Sequence, residues 1–107
     1  MTKLPKWFDI AEQRLGPGDE VEHSWPGTYN EHSGYVVFSK EKLLFVEEEG
    51  FVFKTGTLLL ETTYDKIGKV TVRNDNLMVL TMDDGAKHQI ATPYLSEAKK
   101  ALQDAMA

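Results

Sequence analysis

The period of the apolar residues changes along this chain. Leu4, Trp7, Phe8, Ala11 and Leu15 recur at spacings of three and four, which places them on one helical face and leaves Asp9, Glu12 and Gln13 outside. Pro5 suits a first turn. Gly16-Pro17 is a stop signal, Gly16 taking a left-handed cap and Pro17 forbidding continuation. The spacing predicts a short helix over about residues 6–15. From Gly18 onward Val21, Trp25 and Tyr29 alternate loosely with polar residues across Pro26-Gly27, the texture of one long or bulged strand. Residues 35–38 and 43–46 are strands by their β-branched and aromatic content, joined by the hairpin loop Ser39-Lys40-Glu41-Lys42. Both are apolar on both faces. That predicts central strands, with one face in the core and the other under a helix or a second sheet.

The strand pattern continues through Phe51-Val52-Phe53, a turn at Lys54-Thr55-Gly56, and residues 57–64. In Ile67–Arg73, Val70 and Val72 share one face against Lys69, Thr71 and Arg73. Asn74-Asp75-Asn76 is a turn, Leu77–Met82 a strand, and Asp83-Asp84-Gly85 a hairpin turn in which Gly85 supplies positive φ. Lys87–Ala91 is the last strand. Thr92-Pro93 reads as an N-cap and first helical position, opening a helix over about residues 93–106. Its apolar face is Leu95, Ala98, Leu102 and Ala105, with Ala101 and Met106 at the edge. The order is helix, about seven strands in consecutive hairpins over about residues 19–92, then helix. It predicts a mainly β single domain.

Three local patterns add a resemblance. The turn Ser39-Lys40-Glu41-Lys42-Leu43, set between two apolar strands, resembles the signature hairpin of bacterial pleckstrin-homology-like and GRAM-like domains; Ser39 and Lys42-Leu43 match in kind, Lys40 and Glu41 do not. Thr63-Tyr64-Asp65-Lys66-Ile67 resembles that family's Pro-Tyr-Asp-Lys-Ile corner, with Thr63 in place of proline. Gly16-Pro17-Gly18-Asp19-Glu20-Val21 is similar to its Gly-Glu-Glu-Val lead into the first strand. The resemblance implies a seven-stranded, partly open β barrel of two near-orthogonal antiparallel sheets, plugged by the C-terminal helix. It also implies a binding or assembly module, since members bind phosphoinositides or peptides and some bacterial ones form homo-oligomers.

Composition narrows the function classes. The 107-residue chain is long enough for one core, and no window approaches the roughly 18 to 20 apolar residues of a membrane helix. The N-terminal residues reach Asp9 before any apolar run of about 7 to 15 residues, so no secretory leader and a cytoplasmic location are expected. Without cysteine there is no disulfide framework and no thiolate nucleophile or ligand. The net charge of −5 sits in the first two thirds of the chain, which disfavours nucleic acid as a partner because Lys and Arg supply that affinity.

The candidate chemistry is sparse. Successive side chains of Glu47-Glu48-Glu49 point to opposite faces of a strand, so this acid run reads as a solvated hairpin end. His23, His32 and His88 lack zinc spacing, and His23 and Trp25 are expected to flank the first strand on one face. No metal, cofactor or enzymatic activity is expected. Trp7 and Phe8 pack on the barrel or, alternatively, form an exposed anchor for a partner. A protein partner or a second copy would use an edge strand or the groove beside the C-terminal helix. The alternative is a membrane-surface or lipid-headgroup domain using Lys54, Lys66, Lys69, Arg73 and Lys87, which alternate with acids along the chain.

Overall fold

A computed structural model describes residues 5–49 and 55–107. Leu4, and the segment 50–54 with its expected strand and with Lys54, lie outside the described residues. The order is α1 (Lys6–Gln13), β1 (Val21–Tyr29), β2 (His32–Ser39), β3 (Lys42–Glu49), β4 (Thr55–Thr63), a 3₁₀ turn (Tyr64–Lys66), β5 (Ile67–Arg73), β6 (Leu77–Met82), β7 (Lys87–Ala91) and α2 (Leu95–Met106). All seven strands belong to one antiparallel network in the order β4-β3-β2-β1-β7-β6-β5. Its two halves, β1–β4 and β5–β7, meet where Thr28 and Tyr29 of β1 pair with Ala91 and Ile90 of β7.

The inner faces of both halves share one core. Phe38, Leu43, Phe45 and Leu60 meet Ile67, Met78, Leu80 and Ile90, and Leu95, Ala98 and Leu102 of α2 close over them. A second apolar cluster lies outside the barrel, where Trp7 and Ala11 of α1 cover Val37, Leu44 and Val46. The two-sided apolar strands therefore bury one face in the core and the other under a helix.

Two bulges make this double coverage possible. Opposite Ser39 and Phe38 the register of β1 shifts between Val21 and His23. Val21 thus faces the α1 cluster, while Trp25 faces the core. A second shift, between Phe45 and Val46 of β3, turns Leu58 outward although Leu60 stays inside. Close approach explains one glycine in the same half: a Cβ at Gly34 would overlap the Val46 carbonyl.

The turns follow local chemistry with some departures. Asn30 and Glu31 both have positive φ (47° and 74°), as a two-residue hairpin of mirror-image type requires. α1 ends at Gln13, and Arg14 and Leu15 continue only as i→i−3 turns onto Ala11 and Glu12. The left-handed glycine after it is Gly18 (φ 83°) rather than Gly16. Gly56 lies within β4 opposite Glu48, so the turn expected at residues 54–56 does not include it. Tyr64 belongs to the 3₁₀ turn instead of β4. At the far end, Thr92 does not cap α2 directly. Its hydroxyl donates to the Pro26 carbonyl (2.8 Å) and accepts from the Tyr94 amide (3.1 Å), and the helix begins at Leu95. No helix among the described residues is long and apolar enough to cross a membrane.

Candidate functional site

The three motifs singled out in the sequence come together at one end of the barrel. Ser39 Oγ donates to Asp19 Oδ2 (2.8 Å), and the Lys40 amide donates to Asp19 Oδ1 (2.9 Å). The Lys42 amide donates to Ser39 Oγ (2.9 Å), which closes the β2–β3 turn. From the other side, the Tyr64 hydroxyl reaches the carbonyls of Ser39 (2.7 Å) and Lys42 (2.8 Å). Lys42 Nζ then binds Glu61 Oε2 (2.8 Å) and the Arg14 carbonyl (2.7 Å), and Arg14 Nε binds Glu61 Oε1 (2.8 Å). The hydrogen bond from Lys42 holds the Glu61 carboxyl below its usual range despite partial burial. Burial pushes the Tyr64 hydroxyl well above the ordinary tyrosine value, and the charges of Asp19 and Glu22 push it further.

This knot forms the floor of a cleft between β1 and α2. One compartment, of about 330 Å³, is lined by Glu22 and His23 of β1, Phe38, Ser39 and Tyr64 beneath, and Ala101, Asp104 and Ala105 of α2. A second, of about 350 Å³, continues along the same wall past Trp25, Glu97 and Lys100. Both share His23, Ala101 and Asp104, so they are parts of one groove. The rings of His23 and Trp25 stack in parallel (5.4 Å between centroids, 8°), and Trp25 meets Phe38 edge-on. Along this wall β1 has no second neighbour among the described residues. β7 pairs only with Thr28 and Tyr29, and the Thr92 hydroxyl occupies the Pro26 carbonyl, so residues 21–25 have β2 as their one ladder partner among the described residues. At about 3.3 Å per residue this open edge is roughly 17 Å long.

The sequence-nominated residues fall in three places. Trp7 is buried, stacked on Tyr35 (4.2 Å, 14°) with Phe8 half-buried against it at 5.7 Å. With 8% of its surface exposed, Trp7 holds α1 to the sheet and is not an anchor presented to a partner. Lys69, Arg73 and Lys87 gather on the outer face of β5–β7, Lys69 and Lys87 flanking Thr81 in register. The other outward positions there are Thr71, Leu77, Val79, Gln89 and Ala91, so the face holds no acid, which linear alternation with acids had concealed. Lys66 is elsewhere, at a mouth of about 380 Å³ between β4 and the β6–β7 turn. Inside that mouth, His88 Nδ1 and the Tyr29 hydroxyl lie 2.6 Å apart. Among the described residues no three His, Asp or Glu side chains converge as a metal site. Glu47 bonds His32 Nδ1 (2.7 Å) across the β2–β3 ladder.

Sequence reasoning located the groove only generally and missed Glu22, Asp104 and the small pair Ala101 and Ala105. Ala101 and Ala105 stand one helical turn apart, and two alanines at that spacing leave a slot beside a strand. That spacing was the available signal.

No family model matches the chain, and no curated protein matches it by sequence. Among solved structures it is similar to the C-terminal domain of an unknown protein from Leishmania infantum, with TM-score 0.69 and 14% identity over 94% of this chain and 91% of that one. At that identity the likeness concerns the fold alone: mainly β, a small barrel-like seven-stranded sheet with an N-terminal and a C-terminal helix.

Proposed function

We propose that this chain is a non-catalytic binding module of pleckstrin-homology-like architecture that takes an extended peptide at the open edge of β1, beside α2. The observation behind this reading is the pairing of an unpartnered stretch of strand with a groove running alongside it. Backbone groups on such an edge bind a strand of any sequence, and pockets beside it select side chains. The strand order and the convergence of the three motifs through Asp19, Ser39 and Tyr64 favour the pleckstrin-homology-like resemblance.

Selection from a library of random-sequence peptides tests the reading. Enriched peptides should shift the backbone amide signals of residues 21–25 and 97–105, and Ala101→Phe, which fills the slot, should weaken them at least about tenfold. Enrichment of peptides that map elsewhere, or no enrichment, contradicts it. A second copy of the chain is the competing occupant, and a native mass that rises with concentration and falls back in Ala101→Phe identifies it.

A second reading has its own observation, the acid-free face bearing Lys69, Arg73 and Lys87. It predicts co-flotation with vesicles containing anionic lipid at low salt, lost in Lys69→Glu/Lys87→Glu. Absence of co-flotation removes it.

A further inference from the structure

We propose that the β1–α2 groove selects a basic side chain, Lys or Arg, on the strand it takes. This rests on the strand-addition reading above and names the residue the partner must present. The charge around the groove is one-sided. Glu22, Glu97 and Asp104 line it, and none makes an ion pair among the described residues. Of the two lysines on its walls, Lys40 is already paired with Glu20 (3.5 Å), which leaves Lys100 against three carboxylates. The same field acts on the floor, where Asp19 and Glu22 disfavour a negative charge on the Tyr64 hydroxyl. An anionic guest is repelled there and a cationic one attracted.

The shape fits a long side chain with a charged tip. Among the polar groups of the first compartment, the Tyr64 ring and the methyls of Ala101 and Ala105 offer a methylene stem an apolar flank. At its rim stand the Glu22 and Asp104 carboxylates, acceptors for an ammonium or a guanidinium. The next compartment offers the stacked His23 and Trp25 rings, and an indole face attracts a cation by its quadrupole. Alanine methyls on one side, carboxylates at the rim and an aromatic wall agree on one guest. The acids alone would not single it out, because solvated carboxylates are common; their position in a groove beside an open strand and the stacked His23 and Trp25 rings does.

Host peptides rich in Val and Thr, carrying a single central guest residue, provide the test. The guests are Arg, Lys, norleucine and Glu. Arg and Lys peptides should bind about tenfold or more tightly than norleucine and more tightly still than Glu, with the advantage shrinking as salt is raised. In Glu22→Gln/Asp104→Asn, two exposed substitutions, the Arg peptide should fall to the level of the norleucine peptide, which itself stays unchanged. Equal binding of Arg and norleucine, or a basic preference that survives the double substitution, overturns the inference while leaving strand addition intact. If no guest peptide binds, strand addition and the inference fall together.

Discussion

The two halves of the sheet are built on different terms. In β2–β4 the outer face is roofed by α1, and strands such as 35–38 and 43–46 bury both sides. In β5–β7 no described helix covers the outer face, where Lys69, Arg73 and Lys87 stand among Thr71, Leu77, Val79, Thr81, Gln89 and Ala91. The contrast shows how one chain encodes both solutions: continuous apolar runs in β2 and β3, where both sides are covered, and period-two alternation in β5, where one side is wet. It also shows why the open edge lies at β1, the strand that joins the halves and is shared with β7 over two residues only.

Removing the roof should have the largest effect. Trp7→Ala strips α1 of its main contact and should cost about 3 kcal/mol in urea unfolding, whereas Val79→Ala, buried on the unroofed face, should cost about 1 to 2 kcal/mol. Equal costs would erase the distinction. Glycine substitutions probe it at the backbone. An added methyl at Gly34 meets the Val46 carbonyl between two central strands, and Gly34→Ala should destabilise by about 2 to 3 kcal/mol. At Gly68, an exposed bulge position, the methyl lies 3.0 Å from Asp83 Oδ1, a side chain able to move, and 3.3 Å from the Thr81 carbonyl, a far milder approach than at Gly34, and Gly68→Ala should cost about 1 kcal/mol.

Smaller effects sharpen the knot that ties the covered half to the 3₁₀ turn. Tyr64→Phe takes the phenol donor from the Ser39 and Lys42 carbonyls, the second of which keeps only the longer bond from Ser39 Oγ (3.3 Å), and should cost about 1 to 2 kcal/mol, with faster amide exchange confined to residues 39–42. The acid limb of the stability curve reports Glu61. Its carboxyl titrates lower in the folded chain than in the unfolded one, so its contribution is complete above the ordinary carboxylate range. That contribution disappears as pH falls through the range and on to the lowered value. Glu61→Gln should therefore lower stability by about 1 kcal/mol at neutral pH, and the gap to the unaltered chain should close in acid. A gap that widens in acid would assign the effect to something other than this carboxylate.

How much of this was legible in the sequence depended on whether the cause was local. Ile67–Arg73, Leu77–Met82 and Lys87–Ala91 emerge with their observed limits because alternation and turn residues decide them within a few positions. The start of α2 does not, since Thr92 spends its hydroxyl on Pro26, far away in sequence. A bulge in β1 was foreseeable, but its place at Glu22 and the bulge at Leu59 were hidden, because a bulge is positioned by the partner strand. The groove was foreseeable as a place beside the C-terminal helix. Its chemistry was not, as Glu22, His23 and Trp25 meet Ala101 and Asp104 only after the barrel closes. The cationic face stayed concealed for the same reason, its three residues being gathered by register alone.

The most direct measurement is amide hydrogen exchange, residue by residue, with and without a bound Val- and Thr-rich peptide carrying a central Arg. The open-edge account predicts that amides of β1 within residues 21–25 that point away from β2 exchange fast in the free protein and become protected in the complex, while those of β2 and β3 stay protected throughout. Slow exchange of all β1 amides in the free protein, or new protection confined to β4 or β5, would contradict it.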